Sequence, residues 1–138
     1  MILESAPSTP LIRVVVGILK RGHHVLVAER PQGKSYSGYW EFPGGKIEAA
    51  ESGEAALKRE LHEELGIHVT SAHLYFEHHH AYPDKTVLLE IWLVHAFSGE
   101  PQAKENQSLR WVTWPQMLEL RLLEGNVAIL GKIRDMMG

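Results

Sequence analysis

The hydrophobic residues of this chain fall into short runs with the spacing of β-strands over much of its length. Residues 11–19 and 24–29 are rich in β-branched and aliphatic side chains, and a short turn segment separates them. Similar runs cover residues 73–77, 86–97 and 109–112. The pattern therefore predicts an early hairpin and three further strands. The glycine-, serine- and proline-containing segments between them are typical of loops.

A helical pattern replaces the strand pattern after residue 52. Leu57, Leu61 and Leu65 repeat every four residues, which places them on one face of a helix. Ser52 is a suitable N-cap and Gly66 a suitable helix stop, so the helix is expected between them.

Two more helices are predicted near the C-terminus, at residues 114–120 and 126–137. Strands on both sides of an early helix, followed by these helices, predict an α/β fold. In such a fold a mixed sheet is covered by helices on both faces. The chain of 138 residues is expected to form a single domain, residues 1–138, with a sizeable core.

Composition and charge narrow the classes of function. The chain contains no cysteine, which excludes a disulfide framework, a thiol nucleophile and a thiolate metal site. The formal net charge of -3 argues against a stable nucleic-acid partner, although a single nucleotide held through a metal ion remains compatible with it. No apolar run approaches the roughly 18 residues that cross a bilayer, so no membrane partner is expected. We predict a cytoplasmic monomer.

The segment from residue 44 to residue 67 concentrates negative charge, with six glutamates in twenty-four positions. At about 100° per residue, Glu60 and Glu64 share one face of the predicted helix and Glu63 lies beside Glu60. Like charges at this spacing repel one another. A divalent cation such as Mg²⁺, which prefers oxygen ligands, would relieve that repulsion. Periodicity alone leaves two interpretations open, a solvated acidic face and a metal site.

The same segment resembles the signature of the Nudix hydrolases. That signature reads glycine, five residues, glutamate, seven residues, then Arg-Glu-aliphatic-any-Glu-Glu-any-Gly-aliphatic. This chain matches it at every specified position: Gly45, Glu51, Arg59, Glu60, Leu61, Glu63, Glu64, Gly66 and Ile67. The resemblance implies an α/β/α sandwich with a central mixed β-sheet. It also implies Mg²⁺-dependent (or Mn²⁺-dependent) hydrolysis of a nucleoside diphosphate linked to another moiety.

The resemblance further implies a role for each residue of the signature. Glu60, Glu63 and Glu64 would bind the metal together with the backbone carbonyl of Gly44. Arg59 would orient the glutamates, and Glu51 would support the loop before the helix. The alternative for Arg59 and Glu51 is a surface ion pair of little energetic value.

Outside the signature, the chain resembles the MutT type of Nudix hydrolase, which acts on oxidised purine nucleoside triphosphates. The matching segments are "VGILK", "WEFPGGKIE", "YPDKTVLLEIWLV" and "GEPQAKENQ". Glu105, in the last of them, matches a loop glutamate with a base or metal-ligand role. The resemblance thus implies a small nucleoside triphosphate substrate. Specifically, water would attack the β-phosphorus of 8-oxo-dGTP to give 8-oxo-dGMP and pyrophosphate.

Five residues are candidates for substrate binding. The resemblance places Arg30, Phe42, Tyr82 and Asn126 around the nucleoside. Lys46 is a candidate phosphate contact, with a solvated side chain as the alternative. Tyr82 departs from a phenylalanine of the MutT pattern, and Phe42 could instead be a core residue. Asn126 has two interpretations. It is either a reader of the oxidised base through its amide or a helix N-cap.

Other functions stay open at this stage. Within the Nudix hydrolases, the alternatives are ADP-ribose, dinucleoside polyphosphates and RNA 5′ ends as substrates. A nucleotide-binding sensor without turnover is the alternative outside the hydrolases, and the intact signature argues against it. The run from His78 to His80 looks like a metal tract. Alternation along a strand would turn its middle residue away from the other two, so we interpret it as surface.

Overall fold

The computed structural model describes residues 10–137 and contains seven strands and four helices within that range. In chain order they are β1 (Leu11–Arg21), β2 (His24–Glu29), β3 (Trp40–Glu41), β4 (Gly44–Lys46), α1 (Gly53–Leu65), β5 (His68–Tyr82), β6 (Lys85–Ser98), β7 (Ser108–Val112), α2 (Trp114–Met117), α3 (Glu124–Ala128) and α4 (Leu130–Met137).

The sheet is mixed, as the sequence predicts. Its main path runs β3-β2-β1-β6-β5, with β4 pairing β1 and β7 pairing β2. The pairing of β1 with β6 is parallel and the other pairings are antiparallel. The registers place Gly45 of β4, Val15 of β1 and Glu90 of β6 in one row across the sheet.

Helices cover both faces of this sheet, which confirms the α/β/α sandwich. Successive residues of β1 point to opposite faces. Val15 and Leu19 pack beneath α1, whereas Val16 and Ile18 pack in the core shared with α2 and α4. The leucine stripe of α1 is fully buried and fixes the helix on its face of the sheet.

The predicted ends of α1 are confirmed by hydrogen bonds. The Ala55 N–H donates to Ser52 Oγ at 3.1 Å, the N-cap bond that the sequence predicts. At the other end Gly66 has φ 73°, a left-handed conformation that favours glycine, and its N–H donates to the His62 carbonyl.

The prediction of one continuous helix at 126–137 is wrong. The chain forms two helices there, α3 and α4, which meet at Ile129 with φ -103° and ψ 1°. Glycines at 125 and 131 weaken helix propensity on both sides of this break. The helix predicted at 114–120 is also shorter and ends at Met117.

One strand is longer than predicted, whereas the C-terminal helices are shorter, and two short strands were not predicted. The strand predicted at 73–77 extends from His68 to Tyr82, because polar positions of a half-exposed edge strand carry no hydrophobic signal. Strands β3 and β4 are two and three residues long, too short for a periodic pattern. The rings of His78 and His80 lie 6.0 Å apart on one face, as alternation predicts.

Among residues 10–137, no helix is long and apolar enough to span a lipid bilayer.

Candidate active site

The side chain of Glu60 on α1 lies against β4 at Gly45. A Cβ atom on Gly45 would overlap the carboxyl group of Glu60, and one on Gly44 would overlap the backbone carbonyl of Val15. The absence of side chains at these positions therefore lets the Glu60 carboxyl lie directly over the strand backbone.

Arg59 joins three glutamates of the signature. Its Nε and Nη2 donate to the two carboxylate oxygens of Glu51 at 2.8 and 2.9 Å, a bidentate pair. Its Nη1 donates to Glu60 Oε2 at 2.9 Å and to Glu63 Oε1 at 3.4 Å. The guanidinium holds the pKa of Glu51 down at about 2, helped by the backbone N–H of Glu48.

Glu64 lies deeper than the other two carboxylates of the predicted metal set. The Gly44 N–H donates to its Oε2 at 3.3 Å, and its carboxyl shares a hydrogen bond with Glu60. Burial, reinforced by the charges of Glu60, Glu105 and Glu41, raises the pKa of Glu64 to about 9. Burial also raises the pKa of Glu60, although Arg59 opposes it. The site therefore gathers more carboxylates than the protein's own cations neutralise.

Beside these carboxylates the structure forms a cavity of about 260 Å³, which we call the acidic cavity. It is lined by Val14, Val15, Val16, Arg30, Glu41, Phe42, Gly44, Gly45, Glu60, Glu64, Leu89, Glu105 and Asn126. Seven residues predicted from the sequence thus meet in one place: Arg30, Phe42, Gly44, Glu60, Glu64, Glu105 and Asn126.

Four predicted residues do not line the acidic cavity. The side chain of Glu63 is 54% exposed, and Arg59 acts on the carboxylates from outside. Lys46 is exposed at the end of β4, where its carbonyl accepts a hydrogen bond from Arg59. Tyr82 packs its ring against His80, 4.7 Å between centroids, with its hydroxyl beside Gly125.

Glu41 is a cavity residue that the sequence does not reveal. Arg30 Nη1 donates to its Oε2 at 3.2 Å, and Arg30 Nε donates to the Ser35 carbonyl at 2.6 Å. Burial raises the pKa of Glu41 against the opposing effect of Arg30. A residue in a two-residue strand has no periodic signal. Its acidic neighbours Glu64 and Glu105 come from distant parts of the chain.

Asn126 is buried, and the Phe42 N–H donates to its Oδ1 at 2.9 Å. The N-cap of α3 is Leu123, and Asn126 lies inside that helix, so the N-cap interpretation of Asn126 is wrong. The asparagine instead joins α3 to the chain between β3 and β4. Its side chain also lines the acidic cavity.

The acidic cavity suits a divalent cation shared with a ligand better than one enclosed by protein. Within residues 10–137, no three acidic or histidine side chains converge into a ready coordination sphere. Mg²⁺ commonly takes one or two carboxylates and completes its shell with phosphate oxygens and water. Glu60 and Glu64 are both partly buried and lack a full complement of positive charge, so they fit that requirement.

Comparison with known proteins identifies the family. The family model described as the NUDIX domain matches residues 10–132. The chain belongs to the Nudix family. Nudix hydrolases generally use divalent metal ions such as Mg²⁺, which agrees with the chemistry of the acidic cavity.

Two relatives of this chain are named for different substrates. The CTP pyrophosphohydrolase of Escherichia coli is 38% identical over 120 residues, covering 87% of this chain and 89% of the relative. The 8-oxo-dGTP diphosphatase of Haemophilus influenzae is 39% identical over 103 residues, covering 74% and 76%.

A solved Nudix structure confirms the fold. A chain from the study of MutT from Aliivibrio salmonicida and Vibrio cholerae superposes with a TM-score of 0.76 at 35% identity. The superposition covers 89% of this chain and 96% of the MutT chain.

Proposed function

We propose that this Nudix pyrophosphohydrolase converts 8-oxo-dGTP to 8-oxo-dGMP and pyrophosphate with Mg²⁺, for which Mn²⁺ can substitute. Such an activity removes oxidised purines from the nucleotide pool and so prevents mutation. The observation that supports it is the acidic cavity, which brings Glu60, Glu64 and Glu105 together with Asn126 and the largely buried Phe42.

The carboxylates form the reactive end of the proposed site. Glu60 and Glu64 would hold the metal, with the exposed Glu63 and the Gly44 carbonyl as further oxygen donors. When bound, the metal would neutralise phosphate charge and lower the pKa of an attacking water. Arg59 keeps the Glu60 carboxylate in place through a 2.9 Å hydrogen bond. Glu105, which also lines the cavity, would accept a proton or add a metal ligand.

The amide of Asn126 forms the proposed base-reading end. Its Nδ2 can donate to O6 of guanine, and the second lone pair of Oδ1 can accept from N7–H of 8-oxoguanine. Unmodified guanine carries a bare acceptor at N7, which would face the acceptor Oδ1. A buried mismatch of this kind costs on the order of 1–3 kcal/mol.

A second candidate substrate is CTP. It is favoured by the 38% identity to the CTP pyrophosphohydrolase over 87% of this chain. The Asn126 amide is also compatible with cytosine, which offers an acceptor and an adjacent amino donor.

A substrate panel tests the proposal. The protein with Mg²⁺ is incubated with 8-oxo-dGTP, dGTP, CTP, ADP-ribose, a dinucleoside polyphosphate and 5′-triphosphate RNA, and products are identified by chromatography. We expect the highest kcat/KM for 8-oxo-dGTP, with 8-oxo-dGMP and pyrophosphate as products. A preference for CTP would establish the second candidate. Binding without turnover of any member would establish the sensor.

Asn126→Ala then tests the base-reading role. We expect the ratio of kcat/KM for 8-oxo-dGTP to that for dGTP to fall by about tenfold or more, since both hydrogen bonds to the oxidised base are lost. A ratio equal to that of the wild type would show that Asn126 serves only to bond Phe42.

A further inference from the structure

Glu90 is a buried carboxylate that the acidic cavity does not use. It lies on β6, the strand paired in parallel with β1, and is 5% exposed. Arg13 Nη2 donates to its Oε2 at 2.8 Å, and Trp92 Nε1 donates to its Oε1 at 3.2 Å. Two donors therefore hold this carboxylate in a fixed orientation on the face of the sheet that carries α1.

The carboxylate of Glu90 lies against the first residue of α1. A Cβ atom on Gly53 would overlap Glu90 Oε1. Gly53 begins the helix, whose N-terminus carries a partial positive charge that favours a neighbouring carboxylate. The sterics and the electrostatics thus agree that Glu90 seats the N-terminal end of this helix.

A second close approach lies two turns further along the same helix, where Glu60 meets Gly45. Gly45 and Glu90 belong to one row of the sheet, with Val15 between them. Two strand spacings separate them, about 9.6 Å. Gly53 and Glu60 are seven residues apart, which is about 10.5 Å along a helix. These two lengths are similar, and α1 contacts the sheet near both ends of this row.

We propose that Glu90 is a positioning residue for the carboxylates of the acidic cavity. Through its contact with Gly53, Glu90 sets how far α1 extends across the sheet. It thereby sets where Glu60 and Glu64 lie relative to β4. The part of this proposal that concerns catalysis rests on the proposed function, whereas the part that concerns metal affinity does not need a particular substrate.

Two variants disturb the contact between Glu90 and Gly53 in different ways. Glu90→Gln keeps the size of the side chain but replaces one acceptor oxygen by a donor, which then faces Arg13 or Trp92, both donors. Gly53→Ala keeps Glu90 and both of its partners but adds the overlapping Cβ. Gly131→Ala is the matched control, since it makes the same change in α4 with nothing within 4 Å.

The test measures Mn²⁺ affinity by electron paramagnetic resonance, without nucleotide, at a temperature at which circular dichroism shows every variant folded. We expect the Mn²⁺ Kd to weaken about tenfold in Glu90→Gln and Gly53→Ala and to stay unchanged in Gly131→Ala. On the best substrate of the panel, kcat should fall more than KM changes.

Other results overturn the proposal. A lower Tm with wild-type Mn²⁺ affinity would show that Glu90 has only a structural role. Absence of Mn²⁺ binding by the wild type would show that the acidic cavity is not a metal site. If Glu90→Gln does not fold, Gly53→Ala against Gly131→Ala decides. A wild type that binds Mn²⁺ but hydrolyses no member of the panel contradicts the proposed function alone.

Discussion

Glu64 carries the conflict between burial and charge in this site. Its pKa of about 9 means that an anion at this position costs free energy until a cation arrives. We expect Glu64→Gln to raise the free energy of unfolding in EDTA at pH 7 by roughly 1–3 kcal/mol. Mg²⁺-dependent hydrolysis should fall by about a hundredfold or more, because a metal contact is worth several kcal/mol. Urea unfolding and steady-state kinetics measure the two effects.

The exposed Glu63 provides the control for that experiment. Its side chain is 54% exposed, so Glu63→Gln should change stability much less. Near-normal hydrolysis by Glu64→Gln or Glu60→Gln would rule out these carboxylates as metal ligands.

Glu51, unlike Glu64, should stabilise the fold in its charged form. Its pKa is lowered from 4.5 to about 2 by Arg59, so its charge stabilises the fold above pH 4.5 and that stabilisation is lost as the pH falls towards 2. We therefore expect Glu51→Gln to be less stable than the wild type at pH 7. The difference should shrink below pH 4.5 and vanish near pH 2, as followed by urea unfolding at each pH. A difference independent of pH would contradict a charged pair.

The sequence predicts individual site residues where their spacing is local and misses them where contacts are distant. Glu60 and Glu64 share a face because they are one helical turn apart, and this was predictable. The bond between Asn126 and the Phe42 N–H joins positions 84 residues apart, so the sequence left Asn126 with two interpretations. The place of Glu41 beside Glu64 and Glu105 depends on the folded sheet in the same way.

Among the elements, α1 was predictable to its caps because Ser52, the leucine stripe and Gly66 are all local signals. Strands β3 and β4 were not, although β4 carries the glycines on which Glu60 rests. Their identity as strands comes from pairing with β2 and β1. The edge strand β5 was found only in part, since its exposed positions are polar.

Gly45→Ala tests the contact between β4 and α1. The added Cβ would displace the flexible carboxyl end of Glu60 rather than backbone. We therefore expect a stability change within about 1 kcal/mol but a weaker Mn²⁺ affinity and a lower kcat. Gly131→Ala, which meets nothing within 4 Å, should leave both unchanged. Wild-type kinetics in Gly45→Ala would show that Glu60 need not lie over this strand.

At the scale of the whole molecule, the α/β/α sandwich followed from the order of strands and helices together with the signature. The strand order did not, because the parallel pairing of β1 with β6 leaves no mark in either strand. The acidic cavity needs that pairing, since Val14–Val16 of β1 and Leu89 of β6 line it together.

The position of bond cleavage is a property of the assembled site. Water attack at the β-phosphorus of a nucleoside triphosphate would place ¹⁸O from labelled water in pyrophosphate, as mass spectrometry can show. We expect that outcome, and we expect Glu105→Gln to slow the step more than it weakens binding. Label in the monophosphate would mean attack at the α-phosphorus, and release of orthophosphate would mean a different class of hydrolase.

The parallel pairing of β1 with β6 also bears on how the chain folds. Each of its nine paired positions joins residues 75 apart in sequence, from Leu11 with Thr86 to Leu19 with Val94. Contacts of such high sequence separation form slowly, because a long loop must close before they are gained. Helix α1 can form early from its own caps, but the lining of the acidic cavity requires β1 and β6 together. A chain arrested before that step has the helix that carries the signature and no cavity for a ligand.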